Sequence, residues 1–210
     1  MDKTSRLFDR WAKTGRAEEM EKGHGATVNK FLDKLTFSKP FTFLDIGCGN
    51  GFLTKQISKY FKSTTGIDLS GTGIEQAQKL NNEKLQFRNM SLDQMIEEGK
   101  KFKFITSFEV IEHQYLPDDF LNQINKILEN DGKLLISTPY HGYIKNLLIS
   151  LLGKTDFHFN PLWRHGHIKF FSIKTLSELL KKCNLKVINK KFSGRFYPIS
   201  NSMIFLIKKN

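Results

Sequence analysis

Residues 107–114, SFEVIEHQ, set two carboxylates and an imidazole within five positions. If the stretch is helical, Glu109, Glu112 and His113 stand at i, i+3 and i+4 and share one face. Carboxylate and imidazole donors grouped in this way can grip a divalent cation such as Mg²⁺, Mn²⁺ or Zn²⁺. The same spacing also suits an ordinary polar face beside Val110 and Ile111. The residue types leave both readings open, so the elements that position them matter.

A second group with chemical potential lies upstream. In FLDIGCGNG, Gly47, Gly49 and Gly51 follow an apolar run and precede a helical pattern. Glycines there let the backbone turn tightly and approach a ligand with no Cβ in the way. The spacing G-x-G-x-G is shorter than the dinucleotide fingerprint G-x-G-x-x-G. Asp45 precedes the loop by two residues. Asp68, in GIDLS, ends the next apolar run about 20 residues on, where a carboxylate can accept bonds from ribose hydroxyls. Strand, acid, glycine loop, helix, strand and second acid in that order point to an adenosine-type ligand.

The elements that carry these residues alternate. FTFLDI (41–46), STTGID (63–68), KLQFRN (84–89), KFITSF (103–108) and KLLIST (133–138) read as short buried strands. FLTKQISKYF, GIEQAQKLNN, SLDQMIEEG and DDFLNQINKILEN between them carry helical spacing, and NDGK (130–133) reads as a helix stop and turn. Such alternation predicts an α/β fold, a mostly parallel sheet covered by helices on both faces. After STPY comes an aromatic-rich insertion at about 140–170, then a helix (SIKTLSELLKKC) and two strands, LKVINKKF and SMIFLIKK. The absence of a helix between those two strands predicts an antiparallel pair at the sheet edge.

The 210 residues suit one domain with a proper core, and 39% apolar with 26% charged residues is an ordinary globular composition. No apolar run reaches the roughly 20 residues of a membrane span, and MDKTSRLFDRWAKTGR lacks the apolar centre of a secretory signal. Cys48 and Cys183 lie far apart and imply no disulfide framework. The expected location is the cytoplasm. The formal charge of +12 is compatible with RNA, an anionic membrane surface or an acidic substrate, but its lysines are scattered rather than blocked.

LDIGCGNG followed by GIDLS resembles the class I S-adenosylmethionine (SAM)-dependent methyltransferases, over roughly residues 25–210. The resemblance implies a Rossmann-like seven-stranded sheet of order 3-2-1-4-5-7-6 in a single domain spanning 36–210, preceded by an N-terminal helical lid segment over 1–35 that includes Trp11 and His24. It further implies that Asp45 and residues Gly47, Cys48, Gly49, Asn50 and Gly51 hold the methionine part of SAM. Asp68 would hold the ribose, and Leu69, Ser91 and Leu92 would flank the adenine, with Phe108 also on the cofactor side. Many relatives carry an aspartate where Ser91 stands.

EVIEH resembles two groups within that class. In ubiquinone-pathway O-methyltransferases it accompanies methylation of polyprenylated phenols. In small-RNA 2′-O-methyltransferases two glutamates and a histidine of E-x-x-E-H join a distant histidine around a divalent metal. By that likeness Glu109, Glu112, His113 and His167 form a Mg²⁺ or Mn²⁺ set, with His165 as a rival for the last place. A hydroxyl acceptor must shed a proton, through a base or a metal that lowers its pKa. His113 and Glu109 are therefore the catalytic candidates with or without an ion. His141 and His158 crowd the same downstream stretch as His165 and His167.

The expected acceptor is a small, aromatic or quinol-like hydroxyl. Ile144, Leu147, Leu148, Leu151 and Leu152 in YIKNLLISLLGK (143–154), flanked by Lys145 and Lys154, suit a lipophilic acceptor and peripheral membrane contact. Phe157, Phe159, Trp163, Phe170 and Phe171 could line a ring pocket. RNA 2′-O-methylation by the same four residues is the alternative, and non-catalytic SAM binding is the third reading.

Overall fold

The central strands are buried along nearly their whole length, and each parity of their side chains packs on a different side of one sheet. The computed structural model describes residues 25–29, 31–32, 41–163 and 166–210. Its strands are β1 (Thr42–Ile46), β2 (Ser63–Asp68), β3 (Leu85–Asn89), β4 (Phe102–Phe108), β5 (Leu128–Pro139), β6 (Leu185–Ser193) and β7 (Ser202–Lys209). They form one sheet of order β3-β2-β1-β4-β5-β7-β6. The first five run parallel, and β7 pairs antiparallel with both β5 and β6. The expected order and the expected reversed edge pair are both realised.

The helices are α1 (Phe52–Ser58), α2 (Gly71–Gln78), α3 (Leu92–Glu97), α4 (Pro117–Ile127), α5 (Tyr143–Leu151), α6 (Thr155–His158) and α7 (Ile173–Lys182). Leu44, Ile105, Leu134, Ile136 and Phe205 pack with Met95 of α3, Leu121 and Ile124 of α4 and Leu176 and Leu180 of α7. The opposite parity, Phe43, Phe104, Leu135, Ile204 and Leu206, packs with Leu53 and Ile57 of α1 and with Val28, Phe31 and Leu32. Side chains pointing to alternate faces explain why these strands are nearly continuously apolar. Local signals start the helices. Ser70 accepts a bond from Gly73 N at 3.1 Å. Ser91 and Gln94 form a reciprocal capping box, as do Ser172 and Thr175.

Two local expectations give way. The helix predicted through Asn130 ends at Ile127, and NDG lies inside β5. Phe102 pairs with Leu128 while Phe104 pairs with Lys133, so the turn-forming residues are accommodated as an irregularity in the ladder rather than as a connection. The second is at residues 109–113, where a left-handed Glu109 and a single 3₁₀ turn replace the helical face. Of the predicted lid segment, residues 25–29 and 31–32 are helical, with Val28, Phe31 and Leu32 in the core. Trp11 and His24 lie outside the described residues.

Candidate functional site

The carboxyl end of β1 opens into the glycine loop. Gly47, Gly49 and Gly51 all have positive φ, 78°, 54° and 77°. At Gly47 a Cβ would stand 2.3 Å from Val110 Cγ2, so the loop runs directly against the segment that follows β4. Gly47 N and Cys48 N donate to Ile67 O, and Gly49 N donates to Asp68 Oδ2 at 2.8 Å. Ser70 N donates to Asp68 Oδ1 at 2.7 Å. Asp68 thus fixes the loop to the end of β2, and its remaining lone pairs can still accept from hydroxyls. Burial raises its pKa, and the N–H groups of Ser70, Gly49 and Leu69 act in the opposite sense.

Asp45 has a different position. It is buried, and its two oxygens accept from Thr54 Oγ1 and Thr106 Oγ1, each at 2.5 Å. Burial raises its pKa to about 6 despite those bonds. Its carboxylate therefore ties β1 to α1 and β4 beneath the loop. Cys48 is buried, and Asn50 Oδ1 accepts from Phe52 N at the loop's end. Leu69 is 56% exposed immediately after Asp68, an apolar surface for a flat ring. Ser91 is engaged in capping α3, Leu92 is buried in the core, and Phe108 is half-buried at the end of β4. A glycine cradle beside an acid with spare acceptor capacity fits the adenosine and methionine parts of SAM.

Residues 109–113 do not form the helical face that their spacing allows. Glu109 has φ 55°, and only Ile111–His113 form a single 3₁₀ turn. Glu109 N donates to Ser137 O, and Ser137 Oγ donates to Glu109 Oε1 at 2.8 Å. The left-handed turn at Glu109 sends its carboxylate to the end of β5, while Glu112 points inward. Glu112 is fully buried, and neither carboxylate oxygen makes a hydrogen bond of normal geometry. Burial, then repulsion from Glu109, raises its pKa well above the usual range, with the Thr138 hydroxyl near enough to oppose this.

The distant histidine arrives on a strap, residues 166–171, stitched to the same turn. Ile168 N and Lys169 N both donate to Glu112 O at 3.0 Å. His113 Nδ1 donates to Gly166 O at 3.3 Å, which leaves the lone pair on Nε2. His113 and His167 lie edge to face, with ring centroids 5.0 Å apart, and Trp163 flanks His167 at 5.4 Å. Burial, then His113, lowers the His167 pKa to about 4, so the imidazole is neutral at physiological pH. Ligand atoms of Glu112, His113 and His167 all lie within 4.8 Å of one another. An unpartnered buried carboxylate facing two imidazoles is a donor set suited to a divalent cation. Glu109 stands outside this trio. His165 lies outside the described residues.

In the sequence Lys145 reads only as a flank of an apolar helical run. Its Nζ donates to Tyr140 O at 2.8 Å and Ser200 O at 3.0 Å, with Asn201 O at 3.4 Å, and so holds α5 to the start of β7. Burial lowers its pKa to about 8. The signal that could have found it is a lone lysine within an apolar helical pattern. The rest of α5 is turned outward: Tyr143, Ile144, Leu147, Leu148 and Leu151 are exposed, and only Ile149 is buried. Among the described residues no helix is long and apolar enough to cross a membrane.

A sequence family described as a methyltransferase domain matches residues 14–190. The ubiquinone biosynthesis O-methyltransferase of Pelagibacter ubique is 31% identical over 165 residues, covering 77% of this chain and 67% of its own length. The mitochondrial enzyme of the same description from Schizosaccharomyces pombe is 31% identical over 151 residues, covering 67% of this chain and 53% of its own. The chain thus spans about half to two thirds of these two relatives. Among solved structures, magnesium protoporphyrin IX methyltransferase from Synechocystis with bound SAH superposes with a TM-score of 0.74 at 16% identity, covering 99% of this chain and 96% of that one. An S-adenosylmethionine-dependent methyltransferase from Clostridium acetobutylicum gives 0.70 at 16% identity, with 98% of each chain covered. At these identities the superpositions speak for the fold.

Proposed function

The chain belongs to the SAM-dependent methyltransferases, and from that premise we propose that it transfers a methyl group to the oxygen of a small, aromatic or quinol-like hydroxyl acceptor. The observation that carries this reading is the adjacency of the two half-sites. The glycine loop touches Val110, and the next three residues carry Glu112 and His113 into a cluster with His167. The ubiquinone-pathway relatives support the acceptor class.

When bound, SAM would supply an electrophilic methyl on a sulfonium whose leaving group is the neutral thioether of S-adenosylhomocysteine. The chain's task is then alignment and proton removal. Gly47, Cys48, Gly49, Asn50 and Gly51 would cradle the methionine end, Asp68 would accept from the ribose, and Asp45 holds the loop in place through Thr54 and Thr106. Leu69, Ser91 and Leu92 would flank the adenine, and Phe108 would bound the cofactor side of β4. His113, oriented by Gly166 O, presents Nε2 to the acceptor hydroxyl and takes its proton. Glu109, held by Ser137, is the neighbouring carboxylate that favours the resulting imidazolium.

Glu112, His113 and His167 would hold a Mg²⁺ or Mn²⁺ ion, with Glu109 at its margin. Such an ion would supply a lowered hydroxyl pKa. His113 acts as base or as ligand, not both at once, and the two routes differ in their response to a chelator.

The exposed apolar face of α5, flanked by Lys145 and Lys154, supports a lipophilic acceptor met at a membrane surface. RNA 2′-O-methylation is the second reading, favoured by the +12 charge. The test is label transfer from methyl-labelled SAM into total lipid extract and total small RNA, each with and without EDTA. Label in lipid supports the quinol-like acceptor, and EDTA sensitivity there supports the ion. Label in RNA replaces the first reading. Label in neither pool, with SAM still bound, rejects both and leaves a non-catalytic binder or a water-soluble acceptor.

A further inference from the structure

The positive charge is scattered along the sequence, but the fold gathers it. The amino ends of β1 to β6 and the carboxyl end of β7 form one end of the molecule, opposite the glycine loop and Glu112. Lysines crowd that end. Lys133 of β5 stands directly opposite Lys208 of β7, and Lys208 directly opposite Lys186 of β6. Directly opposed residues share a face, and by parity with Leu135 and Leu206 it is the face on which α1 packs. The three lysines therefore form a file about 10 Å long, running from strand to strand. Among the described residues none of the three has an ion pair. The nearby acids Asp131 and Glu129 are held by Lys103. At the same end Lys101 Nζ donates to Lys126 O. Burial, then Lys101, lowers the pKa of Lys209, and burial, then Lys103, lowers that of Lys133.

Like charges directly opposite one another destabilise a sheet. A lysine on an edge strand guards against pairing with another chain, which accounts for Lys186. Lys208 and Lys133 lie one and two strands in from that edge and need no such guard. The same end is almost bare of apolar anchors. Among the exposed large hydrophobic side chains of the described residues, only Ile188, within β6, lies outside the segments at the glycine-loop end. A protein partner grips through aromatic and arginine anchors, a single strand through stacked rings, and a bilayer through inserted apolar side chains. None of these has a footing here, and a bilayer finds its own at α5, at the other end. A phosphate backbone needs only point charges, which lysines supply. Cations about 5 Å apart suit two phosphate files facing across the narrow major groove of A-form RNA better than the 12 Å groove of B-form DNA.

The geometry points to the file of Lys133, Lys208 and Lys186 as a docking surface for the phosphate backbone of double-stranded RNA, read without regard to sequence. RNA held there anchors the protein and is not the methyl acceptor. Lys133 stands about 13 Å along β5 from Ser137, the residue bonded to Glu109. It also lies on the α1 side of the sheet, whereas Thr138, beside Glu112, has the opposite parity. The inference stands apart from the choice of acceptor and survives if that choice fails.

The test is fluorescence anisotropy of a labelled RNA duplex of about 20 base pairs with the full chain, titrated across a series of salt concentrations. Each phosphate contact adds about one to the slope of log affinity against log salt. The triple variant Lys133→Gln, Lys186→Gln, Lys208→Gln should lower that slope by about three and weaken binding at least about tenfold at about 100 mM salt. Lys154→Gln, Lys174→Gln, Arg195→Gln removes the same charge from exposed positions at the other end and should leave the slope unchanged. Unchanged affinity for S-adenosylhomocysteine reports that each variant is folded, and Lys208→Gln alone, with a slope lower by about one, gives a second reading if the triple is not. Equal losses in the two triples reduce the effect to net charge and overturn the assignment. No binding to the duplex overturns it too, as does equal or tighter binding of a DNA duplex of the same sequence. File-dependent binding of polyglutamate or phosphatidylglycerol vesicles in place of RNA replaces it with an acidic protein or a bilayer. Methyl label entering the bound duplex would make RNA the acceptor and overturn the anchoring role.

Discussion

Gly47→Ala isolates the contact that joins the two half-sites. Two costs are expected, and neighbouring positions separate them. At φ 78° any residue with a Cβ sits in the left-handed region, at roughly 1–3 kcal/mol. The added Cβ would also stand 2.3 Å from Val110 Cγ2, far inside the ordinary contact distance of about 3.5–4.0 Å between carbons, and relieving such crowding costs about 1–3 kcal/mol more. Gly99 is the control. Its φ is 68°, yet a Cβ there meets nothing within 4 Å, so Gly99→Ala carries only the backbone cost. Urea unfolding should therefore find Gly47→Ala the more destabilising of the two by about 1–3 kcal/mol. Calorimetry should find SAM affinity reduced at least tenfold, since about 1.4 kcal/mol of strain in the loop suffices for that. Val110→Ala in the Gly47→Ala background should recover the crowding part, a coupling of about 1–3 kcal/mol in the double-mutant cycle. Gly47→Ala no worse than Gly99→Ala, or a cycle with no coupling, would refute the claim that the loop and the 109–113 segment are in direct contact.

Other perturbations read other parts of the site. Asp45 has a folded pKa of about 6 against an ordinary 3.8, so between those values the folded chain holds a proton that the unfolded chain has released. Stability should fall by up to about 3 kcal/mol as pH rises from 4 to 6, and Asp45→Asn should flatten that slope in a melting series. His167→Ala should lower Mn²⁺ affinity at least about tenfold, followed by the electron paramagnetic resonance of the free ion, and transfer should fall with it. An unchanged Mn²⁺ titration would remove His167 from the ligand set. Lys145→Met breaks the carbonyl bonds at the root of α5. Hydrogen exchange over 143–151 should accelerate about tenfold while β4 and β5 keep their protection.

The sheet could be read from the sequence because its order follows from strand–helix alternation, and the two faces follow from parity within runs such as FTFLDI and KLLIST. Asp68 and the glycine loop could be read because glycines at positive φ and an acid at a strand end leave few alternatives. The backbone of residues 109–113 was a different matter. E-x-x-E-H satisfies helical spacing, but the left-handed turn at Glu109 accompanies contacts distant in sequence: Ser137 at the end of β5 and Gly47 against Val110. NDGK misled for a related reason. Its composition suits a turn, and a ladder irregularity uses the same residues. The pairing of His167 with His113 depends on a strap anchored by main-chain bonds to Glu112 O, which any sequence could make. His141 is one histidine among several in the sequence, and the rings that enclose it, Phe159 and Phe170, lie well downstream in the chain.

Between Tyr143 and Trp163 only Ile149 is a buried hydrophobic side chain, and nothing from that stretch enters the clusters that pack the sheet. Its main anchor, Lys145, grips backbone carbonyls, which are present whatever side chains surround them. The segment proposed to cover the acceptor is in this sense a cartridge. It can be exchanged for one of another length or polarity while the half of the molecule that handles the methyl donor stays as it is, provided the replacement brings its own cation to the same three oxygens. Divergence in acceptor choice along this lineage would then leave its mark in residues 143–163 and spare the glycine loop.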